Sequence, residues 1–186
     1  MVNRASALIT NYKIGSVKVD EKITLTFQEI RDLNIKQISA WPSTIESVDL
    51  KLANIIHTKK APGFNQTLSN NNRHILRIDP LKWWLIGDNN IELETELGTT
   101  LDLSHAFSII KIKGDNVKIF LNRHLPLDLR DKIFPIDSIA SSAIHHVGVK
   151  IWRTDIEYKL FIPRGFALSI WEILLETASQ FGYEIL

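Results

Sequence analysis

The side chains with the widest chemical reach in this 186-residue sequence are six histidines: His57, His74, His105, His124, His145 and His146. Imidazole can ligate a metal or carry a proton. A metal site needs ligands that converge, commonly at i, i+4 on a helix or i, i+2 on a strand, and no pair of these histidines has either spacing. His145 and His146 are adjacent in a stretch that reads as one strand, so they are expected to point to opposite faces. Cysteine is absent, which removes thiolate catalysis, disulfides and cysteine-based zinc sites together. There is no G-x-S-x-G elbow for a serine nucleophile and no G-x-G-x-x-G or G-x-x-x-x-G-K-[ST] cradle for a nucleotide. Carboxylates are spread along the chain with no acid/base couple marked out by spacing, although folding can join distant ones. No catalytic, cofactor-binding or metal-binding residue is therefore expected.

The remaining candidates concern partners. Trp83 and Trp84 are neighbours in an expected strand, so one faces the core and the other faces away. An outward tryptophan is costly in water and favoured at interfaces. Either the rest of the chain covers it, as for a sheet buried on both faces, or a partner does. Trp152, at the end of another strand, poses the same alternative. These three are the candidate partner-interface residues. Arg164 starts the last expected helix, where the macrodipole disfavours a cation. It either pairs with a carboxylate or binds an anion. The expectation is a structural ion pair with Asp128, because arginine holds carboxylates bidentately.

The elements that must position these residues follow from composition and pattern. Apolar residues make up 45% of the chain, enough for a real core. The formal net charge is +1, without the basic excess of a nucleic-acid binder. No apolar run approaches the roughly 20 residues that span a bilayer, and "MVNRASALITNYKIG" lacks a signal-peptide core. Lack of cysteine fits the cytosol.

The first twenty residues lack periodicity and read as an arm. "KITLTF" alternates like a strand, and "LNIKQISAW" is a second, weaker one. Ser43 and Glu46 form a capping-box spacing before a helix over about 44–57, with Ile45, Val48, Leu52, Ile55 and Ile56 at helical intervals. "KKAPGFNQTLSNNN" reads as a loop. Strands are expected near 74–78 and 82–87, then a turn at Asp88–Asn90, a short helical or irregular "IELETEL", and one extended run, "TTLDLSHAFSIIKIK". Gly114 and Asp115 end that run, with Asp115 placed to cap a helix that buries Val117, Phe120 and Leu121 and stops at Pro126. Two strands, "IHHVGVKIW" and "IEYKLFIP", precede a helix over 165–181 with Gly182 at its C′ position and a last strand, "YEIL". The reading is α+β, with an arm and first strand over 1–32 and two β-α-β-β-α-β, ferredoxin-like halves over 33–104 and 105–186.

Three stretches in this order, "IDPLKWWLIG", "DLSHAFSIIKIKGDNVKIFLNRHLPLDL" and "FIPRGFALSIWEILLETASQFGYEI", resemble the gamma subunit of heterotetrameric sarcosine oxidase, over about residues 35–186. The resemblance implies a fold akin to the folate-binding domain of aminomethyltransferases. It implies an assembly with alpha, beta and delta subunits that converts sarcosine, oxygen and tetrahydrofolate to glycine, hydrogen peroxide and methylene-tetrahydrofolate. FAD, FMN, NAD, tetrahydrofolate and zinc are then expected on the partner subunits and no cofactor on this chain, with self-association an alternative for the isolated chain. The aminomethyltransferase relatives carry the same D-x-S-H … G-D plan together with a catalytic Asp near a later central strand. Here the comparable segment is "SSAIHHVGVKIW", and no Asp or Glu occurs between Asp137 and Asp155. A neutral imidazole supplies no permanent negative charge. The resemblance therefore points to a non-catalytic structural subunit; the alternative is a free-standing folate-binding or one-carbon-transfer protein.

Overall fold

The computed structural model describes residues 5–87 and 91–186; the turn expected at Asp88–Asn90 lies outside them. Along the chain come β1 (Gly15–Val17), β2 (Leu25–Ile30), β3 (Ile35–Ala40), α1 (Ile45–Ile55), β4 (Thr67–Asn70), β5 (Arg73–Asp79), β6 (Lys82–Ile86) and β7 (Gly98–Asp102). They continue with β8 (Phe107–Lys113), α2 (Val117–Asn122), β9 (Ile139–Ile144), β10 (Val147–Arg153) and β11 (Tyr158–Pro163). A 3-10 turn (Arg164–Phe166), α3 (Ala167–Ala178) and β12 (Tyr183–Ile185) close the chain. The architecture is α+β. Contacts divide it into one unit of Asp32–Ser104 with Asp137–Ile139, and one of His105–Ile136, Ala140–Leu186 and the described residues before Asp32.

The unit that holds both termini is built on a seven-stranded sheet, ordered β1-β12-β2-β8-β11-β10-β9. β12 runs parallel to β2, while β2, β8, β11 and β10 pair antiparallel in sequence. α3 buries Ala167, Ile170, Trp171, Leu174 and Ala178, the i, i+3, i+4, i+7 stripe of a helix that covers a sheet. Trp171 meets Phe27 edge-to-face at 5.7 Å, and Phe27 meets Phe120 of α2 the same way at 5.5 Å. Each such aromatic pair adds about 1 kcal/mol beyond its burial.

The residues read as an arm are tied into this core. Leu8 has no exposed surface, Tyr12 stacks on Trp171 at 5.5 Å, and β1 pairs with β12. Tyr12 also donates its hydroxyl to the Leu186 carbonyl. These contacts cross more than 150 residues of sequence, so local periodicity carries no trace of them.

The second unit is an antiparallel five-stranded sheet, β4-β5-β6-β3-β7. α1 supplies Val48 and Leu52 to a core with Ile38, Ile75, Trp83 and Leu85. The Arg77 guanidinium lies 4.7 Å from the Trp83 ring centre and 3.6 Å from Asp49. Burial raises the Asp49 carboxyl above its ordinary value, against the pull of Arg77.

Several local expectations are corrected. The capping box does not form: the N-cap of α1 is Thr44 and no side chain caps it. Thr44 Oγ1 instead donates to the Leu97 carbonyl at 2.5 Å. Asn116, not Asp115, precedes α2, and its amide reaches Thr24 Oγ1 at 3.1 Å. Of the two forms expected for "IELETEL" the irregular one is found, ending in a turn over 95–97, and β4 lies inside the expected loop. The run "IHHVGVKIW" is broken at His145, whose φ of +52° turns the chain between β9 and β10; the two histidines therefore do not alternate along one strand. The observed orders are thus β3-α1-β4-β5-β6-β7 and β8-α2-β9-β10-β11-α3-β12. Each carries strands beyond the β-α-β-β-α-β plan, and among the described residues the first shows one helix.

Gly114, between β8 and α2, has φ +130°, and a Cβ there would lie 2.0 Å from the Thr24 carbonyl oxygen. Gly148, in β10, has open space around it. Gly114→Ala is expected to lower the unfolding free energy by about 2 kcal/mol or more. Gly148→Ala is expected to stay within about 0.5 kcal/mol of the parent protein. Chemical denaturation checks both, and equal small effects would contradict the account of the corner.

Candidate functional site

The D-x-S-H … G-D corner has its polar atoms engaged with backbone. Asp102 ends β7, and its Oδ1 accepts the Ser104 N–H at 2.8 Å. Ser104 Oγ accepts the Ile35 N–H at 3.0 Å, while the Leu103 N–H donates to the Ile35 carbonyl at 2.8 Å. These bonds pin the exit of β7 to the start of β3. Gly114 is required by the close pass of Thr24. The motif is thus explained as a chain-turning device, with His105 left exposed at the surface.

The core-facing side chains of "SSAIHHVGVKIW" are apolar. β9 and β10 contribute Ile144, Val149 and Ile151 to the core, beside Tyr158 and Leu160 of β11. Two carboxylates in this unit have little exposure, Glu29 at 5% and Glu157 at 11% of the side chain, and both are committed. Glu29 accepts from Ser6 Oγ at 2.5 Å and Arg31 Nε at 2.8 Å. Its own N–H donates to the Tyr12 hydroxyl at 2.8 Å. Burial raises the Tyr12 pKa, a shift this backbone bond opposes. Glu157 lies 3.6 Å from Lys159 Nζ, and the ammonium sits 4.2 Å from the Trp152 ring centre. Burial lowers the Lys159 pKa, with Glu157 acting against it. Neither carboxylate is available to orient an amine.

A cleft of about 380 Å³ lies in the other unit, lined by Ile55, His57 and Asn70 to Arg73. Its polar groups close the C-terminal end of α1: Asn70 Nδ2 donates to the Ile56 carbonyl at 2.8 Å, and Arg73 Nη1 to that of Ile55 at 3.3 Å. Among the described residues no carboxylate lines it. Among the described residues no group of three or more His, Asp or Glu side chains is placed to hold a metal ion, and no helix is long and apolar enough to cross a membrane.

The structure does not bring the candidate site residues together as a surface. Trp83, Trp84 and Trp152 are 0%, 1% and 2% exposed, so the chain itself covers all three and they present no face to a partner. Trp84 is further held by its Nε1, 3.3 Å from Gln37 Oε1. The expected Arg164–Asp128 pair is replaced by a local one: Asp128 accepts from Arg130 Nε at 2.9 Å. That bond, from a residue two positions away, holds its pKa below the ordinary value. Arg164 Nη2 donates to the Ala5 carbonyl at 2.6 Å. The exposed aromatics are Trp41, at 47%, Phe64, at 54%, and Phe166, at 55%, none of which was singled out from the sequence. Phe166 did stand in the quoted "PRGFA" stretch.

No family model matches the sequence. Sarcosine oxidase subunit gamma from Corynebacterium sp. (strain P-1) is 25% identical over 119 residues, 59% of this chain and 59% of that one. The chain is similar to sarcosine oxidase subunit gamma. A protein of the same name from Arthrobacter sp. is 28% identical over 91 residues, 49% of this chain and 45% of the relative. The chain thus spans about half the length of the curated relatives it matches. In fold it is similar to a chain of the heterotetrameric sarcosine oxidase from Corynebacterium sp. U-96 in complex with pyrrole 2-carboxylate. There the TM-score is 0.80 at 19% identity, over 96% of both chains. It is also similar to the glycine cleavage system aminomethyltransferase T from Bartonella henselae. That TM-score is 0.60 at 13% identity, over 89% of this chain and 48% of that one.

One titratable group in the core gives a direct readout. His124 packs against Phe120 at 5.2 Å between ring centres, and its Nε2 is buried with no hydrogen-bond partner among the described residues. Burial lowers its pKa, with His145 and Arg123 adding to the shift. The unfolded chain then binds this proton at a higher pH than the folded one. The stability tied to neutral His124 is complete above about pH 6.5 and is lost as pH falls below it towards the lowered value. Between pH 7 and 5 the unfolding free energy of the parent protein is expected to fall more steeply than that of His124→Gln. The difference is at most about 1.4 kcal/mol per pH unit. Identical slopes would contradict a buried neutral imidazole.

Proposed function

We propose that this chain is a non-catalytic, gamma-type subunit of a heterotetrameric sarcosine oxidase. The observation that carries the reading is a fold likeness over 96% of both chains to a component of such an assembly. The apolar packing of β9 and β10 supports it, because the segment compared with the relatives' catalytic acid holds Ile144, Val149 and Ile151 and no carboxylate. Its partners are then alpha-, beta- and delta-type subunits. Those subunits carry FAD, FMN, NAD, tetrahydrofolate and zinc, and they perform the oxidation of sarcosine and the transfer of its one-carbon unit. This chain contributes surface and rigidity to that assembly.

The aminomethyltransferase likeness favours a second reading, a free-standing folate-binding or one-carbon-transfer protein. That reading needs an uncommitted acid in a ligand-sized pocket. Glu29 and Glu157 are both paired, and among the described residues the 380 Å³ cleft has no acid in its lining.

Co-expression of this chain with the alpha, beta and delta subunits from the same genome tests the proposal. With all four present, a stable complex with sarcosine-dependent peroxide formation is expected. Omission of this chain is expected to remove most of the assembled complex. Full assembly and full activity without it would overturn the reading.

A further inference from the structure

His105 and Ala106 of "DLSHAF" and P-R-G-F-A, about 60 residues on, meet at one surface. The Arg164 N–H donates to the Ala106 carbonyl at 2.9 Å, which sets the 3-10 turn beside exposed His105. Ala167 and Trp171 of the second stretch are core, with no exposed surface. Arg164, Gly165 and Phe166 are exposed. The N-terminal segment runs alongside: Arg164 Nη2 reaches the Ala5 carbonyl at 2.6 Å, and Asn11 Nδ2 reaches Glu172 Oε1 at 2.9 Å. Leu168 lies one helical turn beyond Arg164 and one before Glu172, so Ile9 and Leu168 are placed in the same strip. Ile9 is 63%, Phe166 55% and Leu168 37% exposed.

The charge of this strip is one-sided. Residues 5–9, 104–107 and 163–169 contain no acid. Glu29 is bound to Ser6 and Arg31, and Glu172, about two turns beyond Arg164 along α3, accepts from Asn11. Among the described residues none pairs with Arg164, although it stands at the positive end of the α3 dipole, where a cation is disfavoured. An exposed arginine beside an exposed aromatic, ringed by aliphatic side chains, has the composition of an interface centre.

We propose that this strip, centred on Arg164 and Phe166, is the face that receives a different polypeptide. That polypeptide offers a carboxylate to the guanidinium and an apolar recess to the ring. The proposal rests on the subunit reading above and names the surface it uses. A second copy of this chain is a poor occupant, because an isologous contact repeats the same patch on both sides. In a contact centred on Phe166, Arg164 would then meet residues 5–9, 105–107 and 163–169 of the other copy, which hold no acid.

The test is quantitative co-purification of the co-expressed subunits with tagged parent chain, Phe166→Ser, Arg164→Glu and Leu50→Ser. Leu50, 62% exposed on α1, is the surface control. Thermal melting of each isolated variant checks folding, and Phe166→Leu tests rescue. At least about a tenfold loss of co-purified subunits is expected for Phe166→Ser and Arg164→Glu. Leu50→Ser is expected to match the parent and Phe166→Leu to recover most of the loss. If the parent chain assembles and the Phe166 and Arg164 variants assemble equally well, the surface is wrong and the subunit reading stands. If the parent chain does not assemble at all, both fail. An isolated parent chain that dimerises, and becomes monomeric on Phe166→Ser, would assign the strip to a second copy and overturn the proposal.

Discussion

The packing of Ile144, Val149 and Ile151 against Tyr158 and Leu160 is the constraint on which the rest of the structure depends. These side chains fill the core side of β9 and β10. A carboxylate placed among them would lose its hydration, at a cost of several kcal/mol unless a cation came with it. The sequence offers neither acid nor compensating arginine at those positions. A scaffold of this shape can therefore be stable or can hold an ionised acid there, and this chain has the first arrangement.

The polar groups that might have formed a reaction centre serve architecture. Asp102 and Ser104 satisfy backbone N–H groups at the exit of β7. Glu29 joins the N-terminal segment to β2 through Ser6, with Arg31 as its counter-ion. Tyr12 ties that segment to the last carbonyl of the chain. Asp131 accepts from both Lys118 and Arg153 at 2.5 Å, and these bonds hold its pKa below the ordinary carboxylate value. Buried or half-buried polar groups are costly unless satisfied, and here the satisfying partners are other parts of the same unit.

Elements with a strong apolar period were legible from the sequence. α1 was expected over about 44–57 and occupies Ile45–Ile55, because Val48 and Leu52 both face the core. β5 and β6 flank Pro80 as expected, and α2 follows Gly114. β4 and β9 were not legible: both are edge strands, where "TLSN" and "IASSAI" need no regular alternation of apolar residues. The N-terminal segment was misread because Leu8 and Tyr12 find their partners far along the chain. The tryptophans were recognised as ambiguous, and burial resolves all three as covered within the chain. Asp128 was assigned a distant partner when Arg130, two residues on, closes a far shorter loop at lower entropic cost. The exposure of Phe166 had no sequence signal of its own, since a phenylalanine at a helix start reads as core.

The central proposal is that this chain, similar in fold to aminomethyltransferase T, does not itself bind tetrahydrofolate. Isothermal titration of the isolated chain with tetrahydrofolate under anaerobic conditions tests it most directly. The account predicts no saturable heat up to millimolar ligand. Stoichiometric binding at micromolar affinity would contradict it.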